Sequence, residues 1–262
     1  MKMKLPPKIQ AFIDQNRLHR NKVGQSPADV FSFSKNGELF FLKISEIIYS
    51  ATTYSVLREA KVLDWLDGKL KTPELILMDS NTQYEYMITK SVGAKPISEH
   101  KNLNEQQTFE IYQQALLLLQ SIGISNCPFR SDIQTRITEA EFLLHHELID
   151  EIDWDEADSD VWEEFKSYTE LLENLKQTRF TEDFVFSHGD ITDSNIFLDA
   201  NEQIYFLDLG RAGIADRFVD IAFIERSLRE DCSEKIAQAF LKQLPHDDIF
   251  KRDYFLKLDE IN

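Results

Sequence analysis

The hydrophobic pattern of this chain changes along its length, and the change limits the folds that the chain can adopt. Residues 1–92 contain runs typical of strands, including Val30–Phe33 and Leu39–Lys43 on either side of the turn "SKNG". From Asn104 onward the apolar residues recur at the spacing of amphipathic helices. The pattern predicts an α+β chain, with a small β-rich lobe over residues 1–92 and a mainly helical lobe over residues 93–262.

Further elements are predicted within these lobes. The segment "TTYSVLREAKVLDWLDGKL" is predicted to form a helix with Val56, Ala60 and Leu63 on one face, and "YEYMIT" a strand that ends at Thr89. Helices are also predicted in "NEQQTFEIYQQALLLLQSI", "ITEAEFLLHHELI", "VWEEFKSYTELLENLKQ", "VDIAFIERSLRE" and "SEKIAQAFLKQL". The connector "KSVGAKP" sets the lobe boundary near Val92–Lys95.

The charge of the chain excludes several classes of partner. Its 262 residues carry a formal net charge of -17, which repels nucleic acids and anionic membranes and favours either plain solubility or a cationic ligand. The longest apolar run, "ALLLL", is too short to cross a bilayer, and no apolar stretch follows the basic start "MKMKLPPK". Since two cysteines cannot form a disulfide framework, we expect a cytoplasmic protein. We also expect a monomer or weak dimer.

Three polar residues stand at the ends of short apolar runs in the segment "FSHGDITDSNIFLDANEQIYFLDLG". The pattern H-G-D-x-x-x-x-N at His188–Asn195, followed by D-L-G at Asp208–Gly210, resembles the catalytic-loop and metal-binding residues of kinases. The oxygen ligands of Asn195 and Asp208 suit Mg²⁺. Asp190 would orient a hydroxyl group and accept its proton.

A β-hairpin is predicted between the last two of these residues. Its strands are Asn195–Leu198 and Ile204–Leu207, with "DANEQ" as the turn, and it would bring Asn195 close to Asp208. Each residue taken alone has a plainer interpretation as a turn or cap residue, and His188 is more typical of a structural histidine bonded to backbone. The full pattern with its spacing is more specific than any of its parts.

The β-rich lobe carries residues that fit nucleotide binding. Lys43 ends the run "FFLK", and Glu59 lies on the following predicted helix, the order expected of a phosphate-binding lysine and its partner. Either residue alone is better explained as a charge at the end of a strand or on the solvated face of a helix. Their order and separation, upstream of the two aspartates, favour the nucleotide-binding interpretation. The glycine-rich loop of protein kinases is absent, because "VGQSPADVF" has a single glycine, although Ser26 and the N–H groups after it could bind phosphate.

Segments along nearly the whole chain are similar to the aminoglycoside 3'-phosphotransferases, most of all to their type VI members. The matching segments are "GQSPADV", "TTYSVLREA", "EYMITK", "FSHGDITDSNIF", "FLDLGRAGIAD", "VDIAF", "LREDCSE" and "YFLKLDE". The resemblance implies the two-lobed protein-kinase-like fold and ATP with Mg²⁺ as donor. It also implies that Asp190 is the catalytic aspartate, and that Asn195 and Asp208 are the metal ligands.

The same resemblance assigns roles in nucleotide binding. Lys43 and Glu59 correspond to the phosphate-binding lysine and its partner, and Phe41 to an aromatic ring that stacks on adenine. Thr89 and Ser91 stand at the connector backbone that contacts the adenine edge. Ser26 falls in the loop over the phosphates.

A concentration of acidic residues fits an acceptor with several ammonium groups. Between Asp150 and Glu164 the sequence has nine acidic residues and no basic one, where the family places an acidic loop over the antibiotic. The resemblance implies substrate contacts for Glu156, Asp158, Asp160, Glu230, Asp231, Asp259, Glu260 and the terminal carboxylate of Asn262. Arg211 and Arg226 are expected to organise these acids by pairing with them.

The resemblance implies transfer of the γ-phosphoryl group of ATP to the 3'-hydroxyl of aminoglycosides such as kanamycin and neomycin. The likeness to type VI members adds amikacin as a possible substrate. This reaction would confer resistance to these antibiotics. The main alternative is a kinase for another small amine or sugar on the same fold. Two others are a metallohydrolase with His188, Asp190 and Asp208 as ligands, and a nucleotide-binding module without catalysis. The former lacks further histidine ligands nearby, and the latter is disfavoured because Lys43, Asp190 and Asp208 are all present.

Overall fold

The computed structural model describes residues 5–21, 27–149, 152 and 159–261. The predicted site residues Ser26, Glu156, Asp158 and Asn262, and the side chain of Asp160, lie outside the described residues. The chain divides into two compact units. The strand-rich unit comprises residues 1–103 and 192–212, and the helical unit comprises residues 104–191 and 213–262. The predicted lobe boundary between residues 92 and 93 stays a prediction.

The helices and strands follow in chain order. The described α-helices are α1 (Pro7–Ile13), α2 (Val56–Leu66), α3 (Glu105–Gln120), α4 (Ile133–His145), α5 (Ser159–Trp162), α6 (Tyr168–Gln177), α7 (Phe218–Asp231), α8 (Glu234–Leu241) and α9 (Ile249–Asp259). The described strands are β1 (His19–Asn21), β2 (Asp29–Lys35), β3 (Glu38–Glu46), β4 (Glu74–Ser80), β5 (Tyr84–Lys90), β6 (Lys95–Pro96), β7 (Phe184–Ser187), β8 (Ile196–Leu198), β9 (Ile204–Phe206) and β10 (Gly213–Asp216).

An antiparallel sheet with strand order β1-β2-β3-β5-β4 forms the frame of the strand-rich unit. The predicted hairpin around "SKNG" is confirmed, because β2 and β3 pair up to Lys35 and Glu38. Asn36 and Gly37 make the two-residue turn with positive φ angles of 54° and 82°, the backbone that suits a tight hairpin. Residues from β2, β3 and β5 form a core with α1, including Phe33, Leu42, Ile88 and Ile9.

Helix α2 confirms the predicted helix in "TTYSVLREAKVLDWLDGKL" and is shorter than that segment at both ends. It begins after Ser55, whose side chain accepts a hydrogen bond from the Arg58 N–H at 3.1 Å. Val56, Ala60 and Leu63 are buried, as the spacing predicts.

The predicted hairpin of β8 and β9 is also confirmed, with Ile196 opposite Phe206. Its turn is closed by Asp199, whose carboxylate accepts hydrogen bonds from the N–H groups of Asn201 at 2.8 Å and Gln203 at 2.9 Å. A two-residue strand, β6, pairs with β8 on the side away from β9.

Helix α7 forms the centre of the helical unit and packs against α8 and α9. Strands β7 and β10 pair antiparallel, with Ser187 opposite Gly213. One prediction is wrong: "VWEEFKSYTELLENLKQ" is not a single helix, because α5 ends at Trp162 and α6 starts only after Ser167. The Ser167 side chain accepts a hydrogen bond from the Glu170 N–H at 3.2 Å and so caps a new helix.

Helix α3 contains the longest apolar run of the sequence. Within it Ala115, Leu116 and Leu119 are buried, whereas Leu117 is 66% exposed. None of the helices in the described parts of the chain has the length and apolarity needed to span a membrane.

Candidate active site

Strand β3 of the strand-rich unit positions two of the predicted nucleotide-binding side chains. Phe41 and Lys43 are two residues apart, so they lie on the same face of the sheet. Thr89 is the register partner of Phe41 on β5, and a backbone hydrogen bond of 2.9 Å runs from the Ser91 N–H to the Leu39 carbonyl. Phe41 therefore lies beside Thr89 near the end of β5, and Ser91 directly follows that strand.

The Lys43 ammonium bridges two carboxylates. Its Nζ lies 2.8 Å from Glu59 Oε2 and 2.6 Å from Asp208 Oδ1. The side chains of Lys43 and Glu59 are 16% and 8% exposed, whereas that of Asp208 is 44% exposed. Burial by itself lowers the pKa of Lys43, but the two carboxylates outweigh burial and raise that pKa above the usual lysine value. The lysine is therefore a fixed positive charge.

Asp208 follows β9 and has a left-handed backbone, with φ 56° and ψ 55°. This conformation costs an aspartate about 1 kcal/mol, so its neighbours must hold it in place. The Leu207 N–H donates to the Asn195 carbonyl at 3.0 Å, one step beyond the β8–β9 ladder. Asn195 and Asp208 thus lie at the same end of the hairpin, as its predicted geometry requires.

The donor set of this hairpin end fits Mg²⁺. Asn195 and Asp208 offer an amide and a carboxylate oxygen, and Mg²⁺ in phosphoryl-transfer sites is commonly held by one or two such groups together with substrate phosphates. Among the described residues, no group of three or more His, Cys, Asp or Glu side chains could hold a metal ion by itself.

Asp190 belongs to a loop of the helical unit that a buried carboxylate anchors. Asp220 on α7 accepts hydrogen bonds from Ser187 Oγ at 2.8 Å and from the N–H groups of His188 and Gly189, each at 3.0 Å. Burial raises the pKa of Asp220, although His188 and these hydrogen bonds oppose the rise. His188 is fully buried, and its Nδ1 accepts from the Asp190 N–H at 3.3 Å. These contacts fit the structural interpretation of His188.

Asp220 received no role from the sequence. The available signal was a carboxylate inside the apolar run "VDIAF", where the helical spacing places it on a buried face. A buried carboxylate needs hydrogen-bond donors, so this position could have been recognised as an anchor for some backbone segment. The segment that it anchors could not be read from spacing alone.

Part of the predicted acidic set comes together in the helical unit. Asp259 and Glu260 lie at the end of α9, where Arg226 of α7 donates to Asp259 Oδ2 at 3.1 Å and Trp162 of α5 donates to Glu260 Oε2 at 2.7 Å. Glu230 stands four residues after Arg226 on α7, which puts both on one helix face. Glu230 and its neighbour Asp231 are exposed.

Arg211 lies in the 3₁₀ turn Leu209–Arg211 of the strand-rich unit. Its guanidinium donates to the Tyr54 hydroxyl at 3.2 Å and lies 5.7 Å from the centre of the Tyr54 ring. The predicted pairing of Arg211 with the substrate-binding acids stays a prediction.

Two sequence comparisons bear on this site. The sequence model of the phosphotransferase enzyme family matches residues 18–251 of the chain. A protein from Acinetobacter baumannii, named aminoglycoside 3'-phosphotransferase, is 55% identical over 260 residues, which cover 99% of this chain and 100% of that protein. The match therefore extends over almost the whole chain rather than over a single motif.

Solved structures resemble the chain over almost its full length. A crystal structure of an aminoglycoside 3'-phosphotransferase of type VIII is 22% identical, with a TM-score of 0.79 and 97% of each chain covered. A Streptomyces rimosus aminoglycoside phosphotransferase in complex with ADP and streptomycin is 19% identical, with a TM-score of 0.76, covering 97% of this chain and 95% of that one. These likenesses confirm the predicted two-lobed, protein-kinase-like α+β fold.

Proposed function

Because the chain belongs to the aminoglycoside 3'-phosphotransferase family, we propose that it transfers the γ-phosphoryl group of ATP to the 3'-hydroxyl of aminoglycosides. The observation that carries this proposal is the 55% identity to the Acinetobacter baumannii protein over 99% of the chain. Kanamycin and neomycin are the expected substrates. Amikacin is a further expected substrate because the sequence resembles the type VI members of the family. Phosphorylation would inactivate the antibiotic and so confer resistance.

In the proposed reaction, Lys43 binds the α- and β-phosphates as a fixed positive charge. Glu59 holds the lysine in place, since the two side chains are 2.8 Å apart and both largely buried. Asn195 and Asp208 would hold Mg²⁺, which neutralises phosphate charge when bound. Phe41 stacks on adenine, the backbone at Thr89 and Ser91 contacts its edge, and Ser26, outside the described residues, contacts phosphate.

Asp190 orients the acceptor hydroxyl and accepts its proton as the phosphoryl group is transferred. Its loop is suited to this role because Asp220 fixes the preceding backbone through the three hydrogen bonds from Ser187, His188 and Gly189. A base must be held within hydrogen-bonding reach of the hydroxyl that it serves, and an anchored loop reduces the cost of holding it there.

The acceptor is bound through its ammonium groups. Arg226 holds Asp259, and Trp162 holds Glu260, so these carboxylates are fixed before a substrate arrives. The remaining contacts are proposed for Arg211, Glu230 and Asp231 and, outside the described residues or side chains, for Glu156, Asp158, Asp160 and Asn262. The net charge of -17 attracts a polycation over a longer range. We further propose that the protein acts in the cytoplasm, where ATP is supplied. We also propose that it is a monomer or weak dimer.

A screen of ATP consumption tests the proposal. The purified protein is assayed with Mg²⁺ and ATP against kanamycin, neomycin, amikacin, choline, ethanolamine and simple sugars, with Asp190→Ala as the matched inactive control. We expect turnover with kanamycin and neomycin that the control lacks. Turnover with choline or a sugar but not with kanamycin would support the alternative of another small-molecule kinase on the same fold.

A further inference from the structure

We infer that Arg58 is a positioning residue for the metal-binding aspartate: it ties the backbone after Asp208 to helix α2 and so fixes the direction of the Asp208 carboxylate. The inference rests on the proposed role of Asp208 in holding Mg²⁺. All the residues involved belong to the strand-rich unit. Neither the motif pattern nor the family resemblance assigns a role to Arg58.

The guanidinium of Arg58 contacts two carbonyls of the same turn. It donates through one nitrogen to the Gly210 carbonyl and through the other to the Ala212 carbonyl, the latter at 3.0 Å. Arg58 is half-buried, so these hydrogen bonds are partly shielded from water. Arginine suits this task because its planar fork presents several donors in a fixed arrangement.

Two further contacts join the same turn to α2 and the residues before it. The Leu209 N–H forms a backbone hydrogen bond with the Glu59 carboxylate. Gly210 lies so close to the segment before α2 that an added Cβ would be 2.6 Å from the Thr53 carbonyl oxygen. The turn that follows Asp208 is therefore tied to α2 at Leu209, Gly210 and Ala212.

This attachment matters because of the backbone of Asp208. Its left-handed conformation is unfavourable for a residue with a side chain and persists where the surrounding structure over-determines it. Arg58 and Glu59 are neighbours on α2. One helix therefore holds both Glu59, which pairs with Lys43, and the turn that follows Asp208. Without Arg58, the turn can relax and the carboxylate can lose its direction.

The test measures nucleotide binding and needs no aminoglycoside. Titration calorimetry gives the ADP dissociation constant with Mg²⁺ and with EDTA, for the wild type, Arg58→Met, Arg58→Lys and Lys61→Met. Lys61 is an exposed cation on the same helix, so Lys61→Met is a control for the change in charge. Thermal unfolding of each variant reports its stability.

For Arg58→Met we expect the gain in ADP affinity from Mg²⁺ to fall about tenfold, a loss in keeping with two charge-assisted hydrogen bonds. Affinity in EDTA should stay within about twofold. Arg58→Lys should recover part of the gain, because an ammonium can still donate to a carbonyl. Lys61→Met should keep it in full. Loss of a nearby positive charge would by itself strengthen Mg²⁺ binding, so the expected change is opposite to a simple charge effect.

An unchanged Mg²⁺ gain in Arg58→Met would overturn the inference. So would an equal loss of affinity with Mg²⁺ and with EDTA, since that pattern indicates general damage to the fold. If Arg58→Met does not fold, Arg58→Leu, which also lacks a hydrogen-bond donor, decides by the same criterion. A wild type that gains affinity from Mg²⁺ but does not phosphorylate kanamycin would contradict the proposed acceptor and leave this inference standing.

Discussion

Lys43 and Asp208, which are 165 residues apart in the sequence, form an ion pair with 2.6 Å between the ammonium nitrogen and a carboxylate oxygen. The same ammonium lies 2.8 Å from Glu59. Within the strand-rich unit, Lys43 therefore links Glu59 on α2 with Asp208, the predicted metal ligand. Phosphate groups that bind Lys43 would have to share its ammonium group with Asp208. Nucleotide binding would therefore affect the position of the Asp208 carboxylate, the predicted metal ligand.

Removal of Lys43 should destabilise the fold because it leaves the Glu59 carboxylate buried without its cation. For Lys43→Met we expect a loss of about 3 kcal/mol in the free energy of unfolding, measured by urea denaturation. The double variant Lys43→Met with Glu59→Gln should regain part of this loss while phosphoryl transfer stays abolished. A double variant no more stable than Lys43→Met would show that the buried charge is not the cause.

Asp190 and Asp208 should separate catalysis from nucleotide binding. Asp190→Ala should lower turnover by about two to four orders of magnitude, the usual scale for a positioned base, with nucleotide affinity little changed. Asp208→Ala should lose Mg²⁺-dependent nucleotide binding as well as turnover. Steady-state kinetics and calorimetry on both variants measure this. A near-normal rate for Asp190→Ala would contradict its assignment as the base.

Glu182 should make stability depend on pH. Burial and the nearby Asp132 and Asp216 raise its pKa to about 7 from an ordinary 4.5, although the Ile133 N–H donates to it at 2.8 Å. The folded protein therefore favours the protonated acid, and this stabilisation is present below pH 4.5 and lost as pH rises through about 7.

The substitution Glu182→Gln removes that titration. The variant should gain about 1 kcal/mol relative to the wild type between pH 5 and pH 8, less than the full shift implies because the side chain is only half-buried. Urea denaturation at both pH values measures the difference. Glu110→Gln, an exposed position on α3, is the control for the loss of one carboxylate. A constant difference between Glu182→Gln and the wild type would contradict the raised pKa.

Salt should weaken acceptor binding more than ATP binding. The Debye length falls from about 10 Å at 0.1 M salt to about 3 Å at 1 M, which screens ammonium–carboxylate attraction. The Michaelis constant for kanamycin should therefore rise with salt more steeply than that for ATP, whose phosphates are gripped through metal. Equal slopes for the two substrates would count against an acidic acceptor site.

Local patterns predicted the elements whose causes are local. The hairpin at Asn36 and Gly37 follows from turn residues between two apolar runs, and α2 follows from the helical spacing of Val56, Ala60 and Leu63. The break between α5 and α6 was missed because Ser167 stands within a continuous helical pattern, and its capping competes with that pattern. Strand β4 and helix α9 were not predicted either, although both carry apolar residues.

Motif spacing and family resemblance assigned roles to the proposed site residues but assigned none to the residues that support them. Asp220 and Arg58 act through hydrogen bonds to backbone groups at least 31 residues away in the sequence. Backbone groups carry no sequence signal, so such partners emerge only from tertiary structure. The roles assigned to Ser26, Glu156, Asp158 and Asn262 lie outside the described residues and stay predictions.

The regiochemistry of transfer gives the most direct test of the proposed function. Kanamycin and the 3'-deoxy antibiotic tobramycin share a similar pattern of ammonium groups, but tobramycin lacks the proposed nucleophile. Both compounds are incubated with the enzyme, Mg²⁺ and ATP, the products are identified by NMR, and tobramycin is tested as an inhibitor of kanamycin turnover. We predict kanamycin phosphorylated at the 3'-hydroxyl, and tobramycin that competes with kanamycin but is phosphorylated slowly or not at all. Rapid phosphorylation of tobramycin, or a kanamycin product modified elsewhere, would contradict the assignment.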